Sequence, residues 1–343
     1  MKQLGNTLYV NQTNRYLSLD GETVVIYEGD TMLGRVPLHN LQSIITFGYQ
    51  GASPALMGAC AKRGIELAFM TSNGSFLARI TGEIKGNVIL RKQQYRISDD
   101  DQKSTVIAKN MIIGKLYNSK SVLARAKRDY AERLDIEKLV VKISHIQDNI
   151  EGASLAQSTE VLRGYEGKGA DEYFSCFDNL ILQQKEEFYF HSRNRRPPLD
   201  NVNALLSFSY SLLKNMCASA LEIVGLDPYV GFLHKDRSGR MSLALDLMEE
   251  FRSVYADRFV LTIINKKIIR DGDFMKKENG AVILTDDGRK KFLNHWQEKK
   301  SEGIKHPFLE EKIEWGMLPY AQALLLARTI RGDLDEYPPF LWK

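Results

Sequence analysis

A chain of 343 residues, 43% hydrophobic and 26% charged, has the length of two domains and the composition of a folded protein, which excludes disordered and fibrous classes. Its formal net charge of +4 is compatible with a nucleic-acid partner without demanding one, so the distribution of charge matters more than the total. Three cysteines without Cys-x-x-Cys spacing argue against a disulfide framework or a structural zinc and fit a reducing compartment. The first residues lack the apolar core of a signal peptide, and no run approaches the roughly 18 apolar residues of a membrane span. The expectation is a cytoplasmic protein with no membrane partner.

Short β-branched and aromatic runs occupy residues 7–10, 16–19, 23–27, 32–37 and 43–47, with turn signals at Asp20-Gly21 and Glu28-Gly29-Asp30. A helix is predicted over 54–62 and strands over 66–70 and 76–80, with a turn at Ser72-Asn73-Gly74 between them. These runs define a β-rich, sandwich-like domain over residues 1–85. Residues 86–103 carry Arg91, Lys92 and Arg96, close on three aspartates and read as a linker. Beyond it, apolar residues recur at helical spacing over 106–116, 121–133, 136–148, 204–224, 243–255 and 320–331. An all-α domain over residues 104–343 follows, and the fold class is α+β.

Three segments of the helical half concentrate polar chemistry. They are Leu162-Arg163-Gly164-Tyr165-Glu166-Gly167, Tyr229-Val230-Gly231-Phe232-Leu233-His234, and the acidic helix from Ser242 to Arg252. A carboxylate, an imidazole and a second carboxylate form the ligand set of a hard divalent ion such as Mg²⁺ or Mn²⁺, which suits phosphoryl transfer. On a helical wheel Asp246, Glu249 and Glu250 lie opposite the stripe of Ala244, Leu247, Met248, Phe251 and Tyr255. Periodicity alone makes them a solvated face; the flanking Leu243 and Leu245 make them the floor of an apolar groove, with Asp246 and Glu249 able to reach one point. A lone histidine such as His234 is more often structural. Gly164 and Gly167 admit either helix packing or the backbone of a nucleic acid.

Basic residues cluster at Arg193, Arg195 and Arg196, at Lys266, Lys267 and Arg270, and at Arg289, Lys290 and Lys291, the array that phosphate binding needs. Any one cluster read alone is a solvated loop at even odds. Tyr165 and Tyr189 are candidates to stack on a base or orient a DNA end, against the default of core packing. Gly167-Lys168-Gly169 lacks the Ser or Thr of a phosphate-binding loop, and nothing resembles a dinucleotide fingerprint or a nucleophile elbow.

The first of these segments, together with Arg196-Pro197-Pro198-x-Asp200-x-x-Asn203, Gly225-Leu226-Asp227-Pro228-x-x-Gly231-Phe232-x-His234 and Ser242-Leu243-x-Leu245-Asp246-Leu247-x-Glu249, resembles the signatures of the CRISPR-associated integrase family, the larger universal protein of spacer acquisition. The likeness extends through the N-terminal strands to essentially the whole chain. It implies a homodimer formed through the β domain and a helical domain holding one Mg²⁺ or Mn²⁺. By position the ligands would be Glu166, His234 and Glu249, with Asp246 as a supporting acidic residue. It further implies attack by the 3′-hydroxyl of a short duplex on a repeat phosphodiester, with double-stranded and branched DNA as substrates. Assembly with the small second adaptation protein into a heterohexamer would follow. Two other readings stay open at this point: a structure-specific nuclease acting on branched DNA in repair, and a non-catalytic DNA-binding subunit whose acidic residues only complete salt bridges. The apolar C-terminal run from Tyr337 to Trp342 either docks a partner or folds back on the chain's own helices.

Overall fold

The computed structural model describes residues 6–71, 76–80, 82 and 88–343. The turn expected at Ser72-Asn73-Gly74 lies outside these residues. Strands β1 (Asn6–Val10), β2 (Arg15–Asp20), β3 (Thr23–Glu28), β4 (Thr31–Pro37) and β5 (Leu41–Phe47) precede helix α1 (Pro54–Arg63), and β6 (Glu66–Met70) and β7 (Phe76–Ile80) follow it. The hairpins β2–β3 and β3–β4 close over two-residue turns whose first residues, Gly21 and Gly29, sit at φ +56° and +54°, a conformation glycine adopts without a Cβ penalty. They form one antiparallel sheet, β2-β3-β4; the other, β1-β5-β6-β7, is parallel except for β7.

Alternation along β5 and β6 decides how the halves join. Ile44 and Leu67 face a small core built with α1, Leu17 and Val24, whereas Ile45, Phe47, Ala68 and Met70 point the other way and belong to the core of the helical half. A central strand is buried on both faces, and residues 43–47 of β5 are all buried, Ile44, Ile45 and Phe47 with the polar Ser43 and Thr46. The four-stranded sheet is thus the middle layer between α1 with the small sheet and the helices.

The helical half contains α2 (Val88–Ser98), α3 (Asp101–Asp129), α4 (Ile136–Ser154), α5 (Thr159–Phe174), α6 (Asn201–Ile223), α7 (Ser242–Glu249), α8 (Arg258–Asn265), α9 (Asp286–Ser301) and α10 (Leu318–Arg331). Two short hairpins, β8 (Phe274–Lys276) with β9 (Val282–Leu284) and β10 (Gly303–Lys305) with β11 (Lys312–Glu314), are set among the last helices. The linker expected over 86–103 is corrected here: residues 88–98 are helical, and α3 starts at Asp101 because Asp100 caps it, accepting from the amides of Gln102 and Lys103 at 3.1 Å. The segments expected over 106–116 and 121–133 are one 29-residue helix. The helix expected over 243–255 is α7 followed by a π-helical turn at Arg252–Asp257, a local widening frequent at functional sites. No helix among the described residues is long and apolar enough to cross a membrane.

Candidate active site

The acidic residues of α7 are not a solvated face. Asp246 and Glu250 are fully buried and Glu249 is 3% exposed, so each needs a partner, because an unpaired carboxylate in the interior would be prohibitively costly. Each finds a different one.

Asp246 accepts the backbone amides of Phe232 at 2.7 Å, Leu233 at 2.9 Å and His234 at 3.0 Å, and its Oδ1 lies 2.6 Å from Nδ1 of His234. One carboxylate thereby folds the loop that carries the histidine and fixes its ring. Gly231 is part of the same device: a Cβ there would stand 2.8 Å from Oδ2 of Asp246, so only glycine lets the loop wrap this closely. With Nδ1 donating to a carboxylate, Nε2 is the nitrogen left to bind something else, the tautomer preference found behind metal-ligating histidines. Burial acts to lower the His234 pKa, but the hydrogen bond and charge of Asp246, with the charge of Glu249, more than reverse this and leave it raised.

Glu249 is held by two cations. Arg252, one turn later, donates from Nη1 to Oε1 at 2.8 Å and to Oε2 at 3.1 Å, and Lys115 of α3 places its ammonium 2.6 Å from Oε2. Burial acts to raise this carboxyl, yet Arg252 and Lys115 outweigh it and bring the pKa down to about 2. Lys115 also pairs with Oε1 of Glu166 on α5, so Glu166 and Glu249 converge on a single ammonium. Helices α3 and α5 approach closely enough for this because Gly169 of α5 leaves the space that the Leu116 side chain fills. Two carboxylates converging on one cation, beside an imidazole with a directed free nitrogen, are a donor set that fits a divalent ion. Among the described residues no three His, Cys, Asp or Glu side chains already surround one point; in this arrangement the cation between the carboxylates is Lys115.

Lys115, Arg252 and Gln94 are given no role in the site by the sequence. Lys115 carried a signal, since it is a cation on the buried face of α3, flanked by Ile112 and Leu116. Gln94 sits on α2, within the supposed linker; it is fully buried and bonds the backbone of Asp227 and Val230, while Ser98 bonds the carbonyl of Gly231. Arg163 of α5 reaches the carbonyl of Leu233 at 3.3 Å. The His234 loop is therefore gripped from α2, α5 and α7.

Two candidate phosphate contacts are turned inward. Arg289 is 1% exposed, donates to the side chain and carbonyl of Asn11 at 2.6 and 2.8 Å, pairs with Asp286 and lies over the Phe47 ring. Helical spacing groups it with Phe292, Leu293 and Trp296, and it ties α9 to the N-terminal sheets. Arg193 donates to Asn203 Oδ1 at 2.6 Å and Ser207 Oγ at 3.0 Å and lies over the Tyr210 ring. The Arg-Pro-Pro-x-Asp-x-x-Asn motif has a structural cause beside it: Asp200 caps α6 through the Asn203 amide at 2.7 Å, and Asn203 anchors Ser192, Arg193 and Asn194. Arg195, Arg196, Lys266, Lys267, Arg270 and Lys290 are exposed, as is Lys291, which pairs with Asp273 at 2.6 Å. Tyr165 is half-buried, its ring filling space left by Gly152; Tyr189 is 42% exposed beside His191. A Cβ at Gly164 or Gly167 would meet open space, so packing requires neither glycine.

The family model of CRISPR associated protein Cas1 matches residues 8–298. The chain is 48% identical over 349 aligned residues to CRISPR-associated endonuclease Cas1 2 of Rhodospirillum rubrum and 47% identical over 343 residues to CRISPR-associated endonuclease Cas1 1 of Chlorobaculum tepidum, each alignment covering 100% of both chains. In fold it is similar to a casposase bound to integration product, with a TM-score of 0.85 at 24% identity over 98% of this chain and 94% of that one. The chain belongs to the Cas1 family of CRISPR-associated endonucleases.

Proposed function

We propose that this protein is a divalent-metal-dependent DNA integrase and endonuclease that joins the 3′-hydroxyl of a short duplex to a backbone phosphate of a CRISPR repeat. The observation that supports it best is the convergence of Glu166 and Glu249 on one cation beside the His234–Asp246 pair. Glu166, Glu249 and Nε2 of His234 would hold Mg²⁺ or Mn²⁺, and the ion would supply charge stabilisation at the reacting phosphate. In the exchange a new O3′–P bond forms as the old one breaks, and the departing 3′-oxygen takes up the proton that the attacking hydroxyl gives up. Asp246 orients the imidazole, while Arg252 holds Glu249 in its ionised form.

Arg195, Arg196, Lys266, Lys267, Arg270, Lys290 and Lys291 are the proposed phosphate contacts of double-stranded and branched DNA, with Tyr165 and Tyr189 beside the DNA end. Gly164 and Gly167 leave the α5 backbone bare on either side of Glu166, where a sugar-phosphate chain can approach. A homodimer through the β domain and a heterohexamer with the small second adaptation protein complete the proposal, in the cytoplasm where the CRISPR array resides. The non-catalytic alternative also has an observation in its favour, since Lys115 and Arg252 together balance the charge of both glutamates without any metal. Strand transfer from a short duplex into a repeat-bearing plasmid, with Mn²⁺ or Mg²⁺ and with the second protein present or absent, separates them. Metal-dependent joining that Glu166→Ala abolishes supports the integrase; binding of DNA without joining or cleavage supports the alternative. Cleavage of branched DNA with no joining in any combination would leave the repair-nuclease reading.

A further inference from the structure

Lys115 raises a question that the metal reading leaves open, namely what this ammonium does when a metal arrives. Its side chain is on the buried face of α3 and the residue is 7% exposed. Its ammonium takes Oε1 of Glu166 and Oε2 of Glu249. The other oxygen of Glu249, Oε1, accepts from Arg252 at 2.8 Å. Oε2 also accepts from Arg252 at 3.1 Å, so both of its lone pairs are engaged while both cations stay. A divalent ion sits about 2.0 to 2.6 Å from carboxylate oxygens. An ion meeting Oε1 of Glu166 and Oε2 of Glu249 would overlap the ammonium nitrogen, and two cations cannot share that space.

Beside Lys115 there is somewhere for the ammonium to go. A cavity of about 20 Å³ is lined by Lys115, Ser119, Tyr210, Arg252, Ser253 and Asp257, among others. That is room for about one water molecule or one ammonium group. Ser253 Oγ, buried at its wall, has no hydrogen-bond partner among the described residues, and Asp257, which accepts from Tyr210, offers a carboxylate. Lysine suits such a move, being a point charge on a flexible four-carbon stem.

We infer that Lys115 is an internal stand-in for the metal: it holds Glu166 and Glu249 together in the metal-free protein and withdraws toward Ser253 and Asp257 when a divalent ion takes its place. The inference rests on the metal reading of the site. It makes metal loading an exchange of cations at a preformed site, and it explains how the buried Glu249 and the half-buried Glu166 stay together before any metal is present.

The test is Mn²⁺ affinity of the full chain, from the electron paramagnetic resonance signal of free Mn²⁺, together with the melting temperature with and without Mn²⁺. Lys115→Met removes the competitor, so Mn²⁺ should bind about tenfold tighter or more. The metal-free protein should melt lower, and Mn²⁺ should raise its melting temperature by more than it raises the parent's. Equal or weaker binding in Lys115→Met overturns the inference, because the lysine would then be a permanent part of the metal-loaded site. If Lys115→Met does not fold without metal, Ser253→Val decides: narrowing the cavity with Lys115 intact should weaken Mn²⁺ binding severalfold, and unchanged binding overturns the inference. Failure of the metal reading looks different, since the parent and Glu166→Ala would then bind Mn²⁺ equally or not at all, and the inference would fall with it.

Discussion

Asp246 shows how much one side chain can organise. Spacing alone allowed it as a metal ligand beside Glu249, yet its two oxygens are already occupied by three backbone amides and the Nδ1 of His234. In the proposed reaction its effect therefore passes through the histidine. Replacing it with alanine strands three buried N–H donors, and we expect a loss of stability on the order of 3 kcal/mol in chemical denaturation. Asp246→Asn keeps the shape but not the charge; Mn²⁺ affinity should drop about 10 to 100-fold with a smaller stability change, as for an orienting partner behind a ligand. An alanine variant as stable as the parent would mean the loop does not depend on this carboxylate. The burial of Asp246, Glu249 and Glu250 was hidden from the sequence because their partners come from elsewhere: Lys115 is more than a hundred residues away, and three of the amides belong to a loop whose path no local rule predicts.

At the level of elements, the C-terminal run folds back onto its own chain. Tyr337, Phe340 and Trp342 are buried, and the segment is stitched to α3 through Asn110 and Asn118 and to Glu250 at the end of α7. The guanidinium groups of Arg125 and Arg258 lie 5.2 and 4.1 Å from the centre of the Trp342 ring. This places a strap one residue from Glu249 and one helical turn from Lys115. Glu250 receives Tyr337 Oη at 2.6 Å, Gln322 Nε2 at 3.0 Å and the Phe340 amide at 2.7 Å, but burial dominates and pushes its pKa from 4.5 up to about 8. The folded state then holds a proton that the unfolded chain releases between about pH 4.5 and 8. Stability from this group is full below that window and declines as pH rises through it. Melting temperatures measured from pH 5 to 8 should fall, and Glu250→Gln, which cannot ionise, should flatten the decline. Equal slopes for both proteins would show that Glu250 is ionised throughout.

Over the whole molecule, what was legible and what was not divides along local and distant causes. Every strand expected before residue 81 is present because the alternation and the Asp-Gly and Gly-Asp turns are local signals. Helix α2 was missed because its charged and glutamine-rich surface resembles a linker, while the residues that bury it show their role only in the fold: Leu90 and Ile97 join the core of the helical half, and Gln94 bonds the loop that leads to His234. The basic runs were legible as charge but not as direction. In Arg289-Lys290-Lys291 the first residue turns into the core and the next two face out, as the helical period of α9 dictates. The proposed DNA surface is accordingly narrower than the sequence implied. Replacing Arg195 and Arg196 together with alanine should reduce the slope of log K against log salt by about two, roughly one per phosphate contact. Arg193→Ala should instead lower the melting temperature. A slope unchanged by the double substitution would return this loop to ordinary solvated surface.

The central claim is that Glu166, Glu249 and His234 share one divalent ion. Anomalous scattering from Mn²⁺-soaked crystals tests it most directly. The account predicts one strong Mn peak within about 2.0 to 2.3 Å of carboxylate oxygens of Glu166 and Glu249 and of Nε2 of His234, with Nδ1 still on Asp246 and the Lys115 ammonium withdrawn. A Mn peak elsewhere, or none while Lys115 still bridges the two glutamates, would contradict it.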